Sequence, residues 1–181
     1  MTRQSRSDGS DGNGPLFGYM GRPLLDLKLW RQQAKGRLKR CPRCKQKTED
    51  RIYLLDRVQV RALAIMHVLC RNEPTGWIPR DRVVEQMPRG VELGGKLARL
   101  RYWGFAAMHP KHRGMWATTD RAAEFLHGRM RVPAKMGLCE WKETDKLIGF
   151  FGPMVTVGEV MKTGDFDLNA LLDSGRPSLN G

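Results

Sequence analysis

The sequence predicts an α+β fold in which short helices and antiparallel hairpins share one core. Apolar residues recur with helical spacing from Arg57 onward, as in an amphipathic helix. Two short apolar runs flank a polar tip within "FAAMHPKHRGMWATT", residues 105–119, and a second pair of apolar runs follows Pro133, which is the pattern of hairpins. The chain of 181 residues has the length of one domain with appendages.

Composition divides the chain into four segments. Residues 1–14 are rich in Gly, Ser, Asp and Asn and predict a disordered tail. Residues 15–56 predict a basic arm that contains "CPRC", residues 57–131 hold the helices and the first hairpin, and residues 132–181 predict a second hairpin with short helices. We therefore expect residues 57–131 to form the core domain, which the other segments extend.

Positive charge is concentrated before residue 132. The net charge is +13, to which residues 15–56 contribute +7, residues 57–131 contribute +8 and residues 132–181 contribute −2. Such a field attracts a polyanion, and nucleic acid is favoured over an anionic membrane or an acidic protein surface. The chain starts without an apolar signal region, and its longest apolar stretch is shorter than the roughly 18 residues of a membrane span. We therefore expect a cytoplasmic protein with no membrane partner.

A short strand and a long helix begin the core. "RIYLLDR", residues 51–57, has the apolar character of a strand. From Arg57 the apolar residues follow two neighbouring helical stripes, until "NEPTG" ends the pattern. A helix that is apolar on two stripes belongs at the centre of a core. The stripes are Val60, Leu63, Ala64 and His67 on one side and Ala62, Ile65, Met66 and Leu69 on the other.

Two further helices precede the first hairpin. Residues 80–87 predict a short helix between Pro79 and Pro88. Residues 91–103 predict a third helix whose leucines, spaced four and three residues apart, share one face. Gly104 suits the position that ends this helix in a left-handed conformation. The leucines are Leu93, Leu97 and Leu100.

Local signals predict the remaining elements. Residues 105–108 and 115–118 predict two strands, and Thr119 or Asp120 can cap a fourth helix. The second hairpin is expected to turn at residues 143–146. "TVGE" has the spacing of a capping box and "DLNALL" predicts a last helical turn, so short helices end the chain.

Aromatic residues around the two hairpins are expected to pack rather than to stack on bases. The first hairpin brings its aromatic residues to the place where it packs on a helix, which favours a core role. The aromatic residues of the second hairpin either cover the core or form a homodimer interface. The first group is Trp103, Phe105 and Trp116, and the second is Trp141, Phe150 and Phe151.

The order helix, helix, helix, hairpin resembles the winged-helix (helix-turn-helix) superfamily. The motifs "LARLRYWGFAAM", "GMWATTDRAAEFLHG" and "VPAKMG" are similar to those of small uncharacterised phage and prophage proteins that have an N-terminal CxxC. The resemblance covers roughly residues 41–150. It implies a winged-helix fold, a nucleic-acid context and, for a phage-encoded protein, the host cytoplasm, but it implies no particular activity.

The third helix and the hairpin tip form the candidate nucleic-acid-binding surface. In helix-turn-helix proteins the second helix of that unit enters the DNA major groove, and here residues 92–103 correspond to it. The tip 109–114 would lie against the adjacent backbone or minor groove, and the basic arm 28–51 would add phosphate contacts. The alternative is a solvated loop, because runs of charge usually face water. The candidate residues are Lys96, Arg99, Arg101, Tyr102, His109, Lys111, His112 and Arg113.

A zinc site is the second candidate. Cys41 and Cys44 have the C-x2-C spacing of a zinc knuckle, and His67 and Cys70 share a helical face three residues apart, so the four could complete a tetrahedral set. Cys139 is a rival ligand. The alternatives are a knuckle that binds nothing, a core histidine at position 67 and a buried thiol at position 70.

The sequence argues against an enzyme. All five serines, at positions 5, 7, 10, 174 and 178, lie near the ends of the chain, so a serine nucleophile in the core is excluded. There is no P-loop, no G-x-G-x-x-G motif and no carboxylate cluster with an obvious metal geometry. We therefore expect a noncatalytic protein that binds double-stranded DNA and regulates transcription or another DNA transaction. The alternative is an adaptor that binds a host protein such as part of the transcription machinery.

Overall fold

Two antiparallel sheets and a central helix make up the structure. The computed structural model describes residues 49–140, 146–162 and 166–174. Over these residues the chain is α+β, as predicted. In chain order the elements are β1 Glu49–Leu54, α1 Arg57–Asn72, β2 Ile78–Pro79, α2 Arg80–Glu85, α3 Lys96–Arg99, a 3-10 helix Leu100–Trp103, β3 Ala106–Met108, β4 Met115–Thr118, α4 Asp120–Leu126, β5 Val132–Glu140, β6 Lys146–Val155, α5 Val157–Met161 and α6 Leu168–Ser174. One sheet has the strand order β1-β5-β6 and the other has the order β2-β4-β3.

Several predictions concern residues outside the described ranges. They are the tail 1–14, the basic arm before Glu49 with Cys41 and Cys44, and the turn of the second hairpin with Trp141. These features therefore stay predictions.

Helix α1 is the centre of the core, as its two apolar stripes predict. Asp56 starts the helix with a capping box: its Oδ1 accepts the N–H of Gln59 at 2.9 Å, and the Gln59 Oε1 accepts the N–H of Asp56 at 3.2 Å. Every residue from Gln59 to Cys70 except Arg61 is buried. The five other α-helices and strands β2 and β4 pack around α1, so the position of each one depends on it.

A short strand links α1 to the first hairpin. Strand β2 lies between α1 and α2 and pairs with β4, where Ile78 faces Trp116 in the register. Strands β3 and β4 form the predicted hairpin. The sequence did not predict β2, because two residues carry no alternation to detect. With β2 in place, β4 is the middle strand and residues 109–114 form the tip of the hairpin.

The third helix is shorter than residues 91–103 predict. It begins at Lys96, because Gly94 takes a positive φ of 46° that a helix cannot contain, and from Leu100 it continues as a 3-10 helix. Gly104, with φ 75°, ends it as predicted. The predicted leucine face is nevertheless buried, since Leu93, Leu97 and Leu100 all lie in the core. Helix α2 likewise ends at Glu85 rather than at residue 87.

The predicted caps of the later helices are confirmed. The Thr119 hydroxyl accepts the N–H of Ala122 at the start of α4. Thr156 and Glu159 form the capping box of α5, and the predicted last helical turn is α6.

The 3-10 helix links the two sheets, since it contacts β3 and its last residue, Trp103, contacts β5 and β6. The Trp103 indole Nε1–H donates to the Pro133 carbonyl at 2.8 Å, and its ring lies 6.3 Å from the ring of Phe150, measured between centroids. Phe150 and Phe151 are themselves buried within the chain. The predicted core packing of Trp103, Phe105 and Trp116 is confirmed, and one hydrophobic cluster runs from α1 to α6.

Candidate nucleic-acid interface

The hairpin tip, residues 109–114, is held in shape by His109. The His109 Nδ1 accepts the backbone N–H groups of Lys111 at 3.1 Å and His112 at 3.0 Å, so the ring proton of the neutral imidazole lies on Nε2. The His109 ring also packs edge-on against Trp77, with 4.8 Å between the centroids. Gly114 closes the tip with a φ of 85°, which a residue with a Cβ rarely adopts. The tip is therefore a structured turn.

The basic side chains of this tip face solvent. Lys111, His112 and Arg113 are all exposed. Among the residues that the structure describes, neither Lys111 nor Arg113 forms a salt bridge. Two cations are thus presented on an ordered turn, which suits contact with a polyanion.

Lys96 and Arg99, predicted to contact nucleic acid from the third helix, have partners inside the protein. The Lys96 ammonium forms a salt bridge with Asp56, the residue that caps α1. The Arg99 guanidinium lies over the ring of Tyr53, 3.8 Å from its centroid, in a cation–π contact. A Cβ at Gly95 would lie 3.5 Å from Nη2 of Arg99, so the bare glycine borders the same guanidinium.

Arg101 and Tyr102 contact each other. The Arg101 Nη2 donates to the Tyr102 hydroxyl at 2.7 Å, and the guanidinium carbon lies 4.7 Å from the centroid of that ring. Tyr102 is only 7% exposed, which leaves its ring little surface for stacking on a base. This pair therefore lies mainly within the protein.

Arg80, which no sequence motif identified as a candidate site residue, connects the tip to the turn before α3. Its backbone N–H donates to the Gly114 carbonyl at 3.0 Å, and its Nη2 donates to the Gly94 carbonyl at 3.3 Å. Arg80 is exposed at the start of α2. Arg80 therefore bonds the tip through its backbone and the turn before α3 through its guanidinium. No local signal in the sequence identifies this role, because it depends on the pairing of β2 with β4.

His67 and Cys70, the two predicted zinc ligands in α1, face strand β4. The His67 Nδ1 lies 3.2 Å from the Thr118 hydroxyl, and the Cys70 thiol donates to the Trp116 carbonyl at 3.8 Å. Burial lowers the pKa of His67, with smaller contributions from Arg71 and His127, and burial raises the pKa of the Cys70 thiol. The imidazole is therefore held neutral and the thiol protonated.

Within the described ranges, no three His, Cys, Asp or Glu side chains are grouped closely enough to hold a metal ion. Cys41 and Cys44, which supply half of the predicted set, lie outside those ranges. Cys139 is described only through its backbone, which pairs with Asp50 in the register of β1 and β5. The zinc site stays a prediction.

The lowered pKa of His67 gives a pH dependence to folding. As pH falls below about 6.5, an unfolded chain protonates this histidine while the folded chain does not, so the free energy of unfolding decreases. The decrease continues down to the lowered folded-state pKa, with a slope of at most about 1.4 kcal/mol per pH unit. Urea unfolding of the wild type and of His67→Gln between pH 8 and pH 5 measures it. The difference in the free energy of unfolding between the two proteins should change below pH 6.5. A difference that stays constant with pH would contradict this role of His67.

Among the described residues no helix is long and apolar enough to span a bilayer. Comparisons of the chain with known protein families, with curated proteins and with solved structures found no match.

Proposed function

We propose that this protein is a noncatalytic, double-stranded DNA-binding protein with a winged-helix core. In this proposal the tip 109–114 is the wing, and the protein regulates transcription or another DNA transaction of a phage or mobile element. The mobile-element context rests on the resemblance of the sequence motifs.

One observation carries the proposal: the element order α1, β2, α2, α3, β3, β4 with the strand order β2-β4-β3. A winged helix has a strand between its first two helices, and that strand pairs with the second strand of the hairpin. The hairpin tip of such a fold reaches toward DNA. Here the same tip is ordered by His109 and presents Lys111 and Arg113 to solvent.

Charge supports a polyanionic partner. Residues 57–131 carry +8, more than half of the net charge of +13. Several basic side chains in this region are neutralised internally, since Arg82 pairs with Glu73 at 2.9 Å and Arg129 pairs with Glu124 at 3.0 Å. The cations of the tip lack such partners within the described part of the chain.

Titration of a labelled duplex at several salt concentrations tests the proposal. The wild type should bind with a steep salt dependence, because each phosphate that it neutralises releases counterions. The double variant Lys111→Ala, Arg113→Ala should bind more weakly. Its slope of log K against log salt should fall by about 1.8, which is about 0.9 for each lost phosphate contact.

A charge-matched control separates local contact from total charge. The double variant Arg129→Ala, Arg131→Ala also removes two cations, but these are already paired with Glu124 and Glu159. Its slope should change by much less. If the salt slope falls equally in both variants, the tip is not a contact surface. If the wild type binds no duplex at low salt, an adaptor that binds an acidic host protein is the better hypothesis.

A further inference from the structure

We infer that the protein holds the phosphate backbone of a duplex through the tip and Arg80, without reading base sequence, and that the basic side chains of the third helix serve its own fold. This inference rests on the proposed function. The sequence predicts that the third helix contacts the base edges and that the tip contacts the backbone or minor groove beside it. Here the DNA contacts are assigned to the tip and Arg80 instead.

Lys96, the first residue of α3, is held against the N-terminal end of α1. Its ammonium pairs with Asp56, and its backbone carbonyl accepts a hydrogen bond from the Gln59 side chain at 3.4 Å. Asp56 and Gln59 are the two members of the capping box of α1. A contact between Lys96 and a base would require this salt bridge to break, so the cost of that contact includes the lost pairing with the Asp56 carboxylate.

Arg99 is fixed between an aromatic ring and a glycine. Its guanidinium lies over the Tyr53 ring, and the position of a Cβ on Gly95 would be within van der Waals contact of the same group. A planar guanidinium stacked in this way gives up one face to the protein. Tyr53 belongs to β1, so this contact ties the third helix to the sheet β1-β5-β6.

Arg101 is the third basic residue of the predicted third helix whose side chain has a partner within the protein. Its Nη2 is bonded to the Tyr102 hydroxyl, and its Nε is buried without a hydrogen-bond partner in the described structure. Bidentate recognition of guanine needs two guanidinium N–H groups aimed at the base edge. With Nη2 engaged and Nε buried, Arg101 does not present that fork to the outside.

The helix itself offers little reading surface. Only four residues, Lys96–Arg99, are α-helical, and the next four form a tighter 3-10 helix whose members Leu100, Tyr102 and Trp103 are buried. Of the residues before it, Gly94 and Gly95 are exposed but have no side chain to read a base. At Gly94 and Gly95 the exposed surface is backbone, which suits close approach to a sugar-phosphate strand, whereas the exposed Glu92 carries a negative charge.

The outward-facing cations lie elsewhere. Lys111 and Arg113 are exposed on a tip whose shape His109 fixes, and Arg80 is exposed where it bonds both Gly114 and Gly94. Contacts from Lys and Arg to phosphate set position and affinity but carry no sequence information. A surface built from these cations therefore predicts binding to any duplex.

Two sets of variants test the inference. The tip set is Lys111→Ala with Arg113→Ala, and the third-helix set is Lys96→Gln with Arg99→Gln. For each we would measure the salt slope of duplex binding, the thermal midpoint of unfolding and the sequences enriched from a random duplex pool. The tip set should lower the slope by about 1.8 with little change in the thermal midpoint. The third-helix set should lower the midpoint, keep the slope within about half a unit of the wild type and show no enriched sequence.

Arg99→Lys keeps the test valid if the double third-helix variant does not fold. Lysine retains a charge that can contact phosphate, but it loses the planar stack on Tyr53 and any bidentate contact with guanine. A lower thermal midpoint with unchanged duplex affinity supports the inference. A loss of affinity that is confined to one enriched sequence overturns it.

The outcomes separate the inference from the proposed function. If the wild type enriches a defined sequence and the third-helix set abolishes that preference, the protein still binds DNA but reads bases with the third helix, and the inference alone is wrong. If the wild type binds no duplex at low salt, the proposed function is wrong and the inference falls with it.

Discussion

Replacing Trp103 with alanine should lower the free energy of unfolding by about 3–5 kcal/mol, the range for large buried aromatic residues. Trp103 is 1% exposed, and its ring packs near Phe150 of β6. The indole also supplies the hydrogen bond to the Pro133 carbonyl. Alanine would remove the packing and that bond together, so the loss should fall where the 3-10 helix links the two sheets. Urea unfolding followed by circular dichroism measures it.

Two controls divide this loss into its parts. Trp103→Phe keeps most of the ring but leaves the Pro133 carbonyl without its donor, so we expect a loss of about 1–3 kcal/mol. Trp77→Ala removes a half-buried indole that contacts His109 and should cost less than Trp103→Ala. If Trp77→Ala proved the more damaging variant, Trp103 would not be the main link between the sheets.

Replacing Phe105 with alanine should have a comparable effect, about 3–5 kcal/mol, at the base of the first hairpin. Phe105 is fully buried, and its ring stacks on Phe125 of α4 with 4.8 Å between the centroids. Its backbone bonds to Leu100 and Thr119 do not depend on the side chain. The cavity should therefore destabilise the protein while the chain path of the hairpin is kept. Chemical unfolding at pH 7 gives the loss.

Matched variants define the source of the Phe105 effect. Met108→Ala changes an exposed residue at the end of β3, the strand that directly follows Phe105, and it should change the free energy of unfolding by less than about 0.5 kcal/mol. Combining Phe105→Ala with Phe125→Ala should reveal a coupling of about 0.5–1.5 kcal/mol between the two rings. Additive losses would show that the rings do not stabilise each other.

Strong local signals predicted much of the fold. Helix α1 was predictable because its apolar residues repeat over four turns, and Gly104 and Thr119 were predictable because helix ends need a left-handed residue or a side-chain acceptor. The start of the third helix was wrong because the leucine spacing continues through Gly94, whose positive φ ends the helical path. Periodicity reports which side chains are buried, and Leu93 is buried without being helical.

The candidate site was less predictable, because its chemistry depends on residues far apart in the chain. The sequence identified Lys96 and Arg99 as basic, but Asp56 lies 40 residues before Lys96, and no local pattern predicts their salt bridge. Tyr53 is similarly distant from Arg99. The exposed tip was predictable because it depends on a local hairpin, whereas the role of Arg80 requires the register of β2 with β4.

The strand order β1-β5-β6 sets an order of folding events. The inner pair of this ladder joins Leu54 to Lys135, so β1 must close a loop of about 80 residues, whereas β6 begins only six residues after β5 ends. Pairing across such a distance is slow, and we expect β1 to be the last strand to dock. Until it docks, the edge of β5 is open to pairing with other chains, so a protein that lacks β1 should be prone to aggregation.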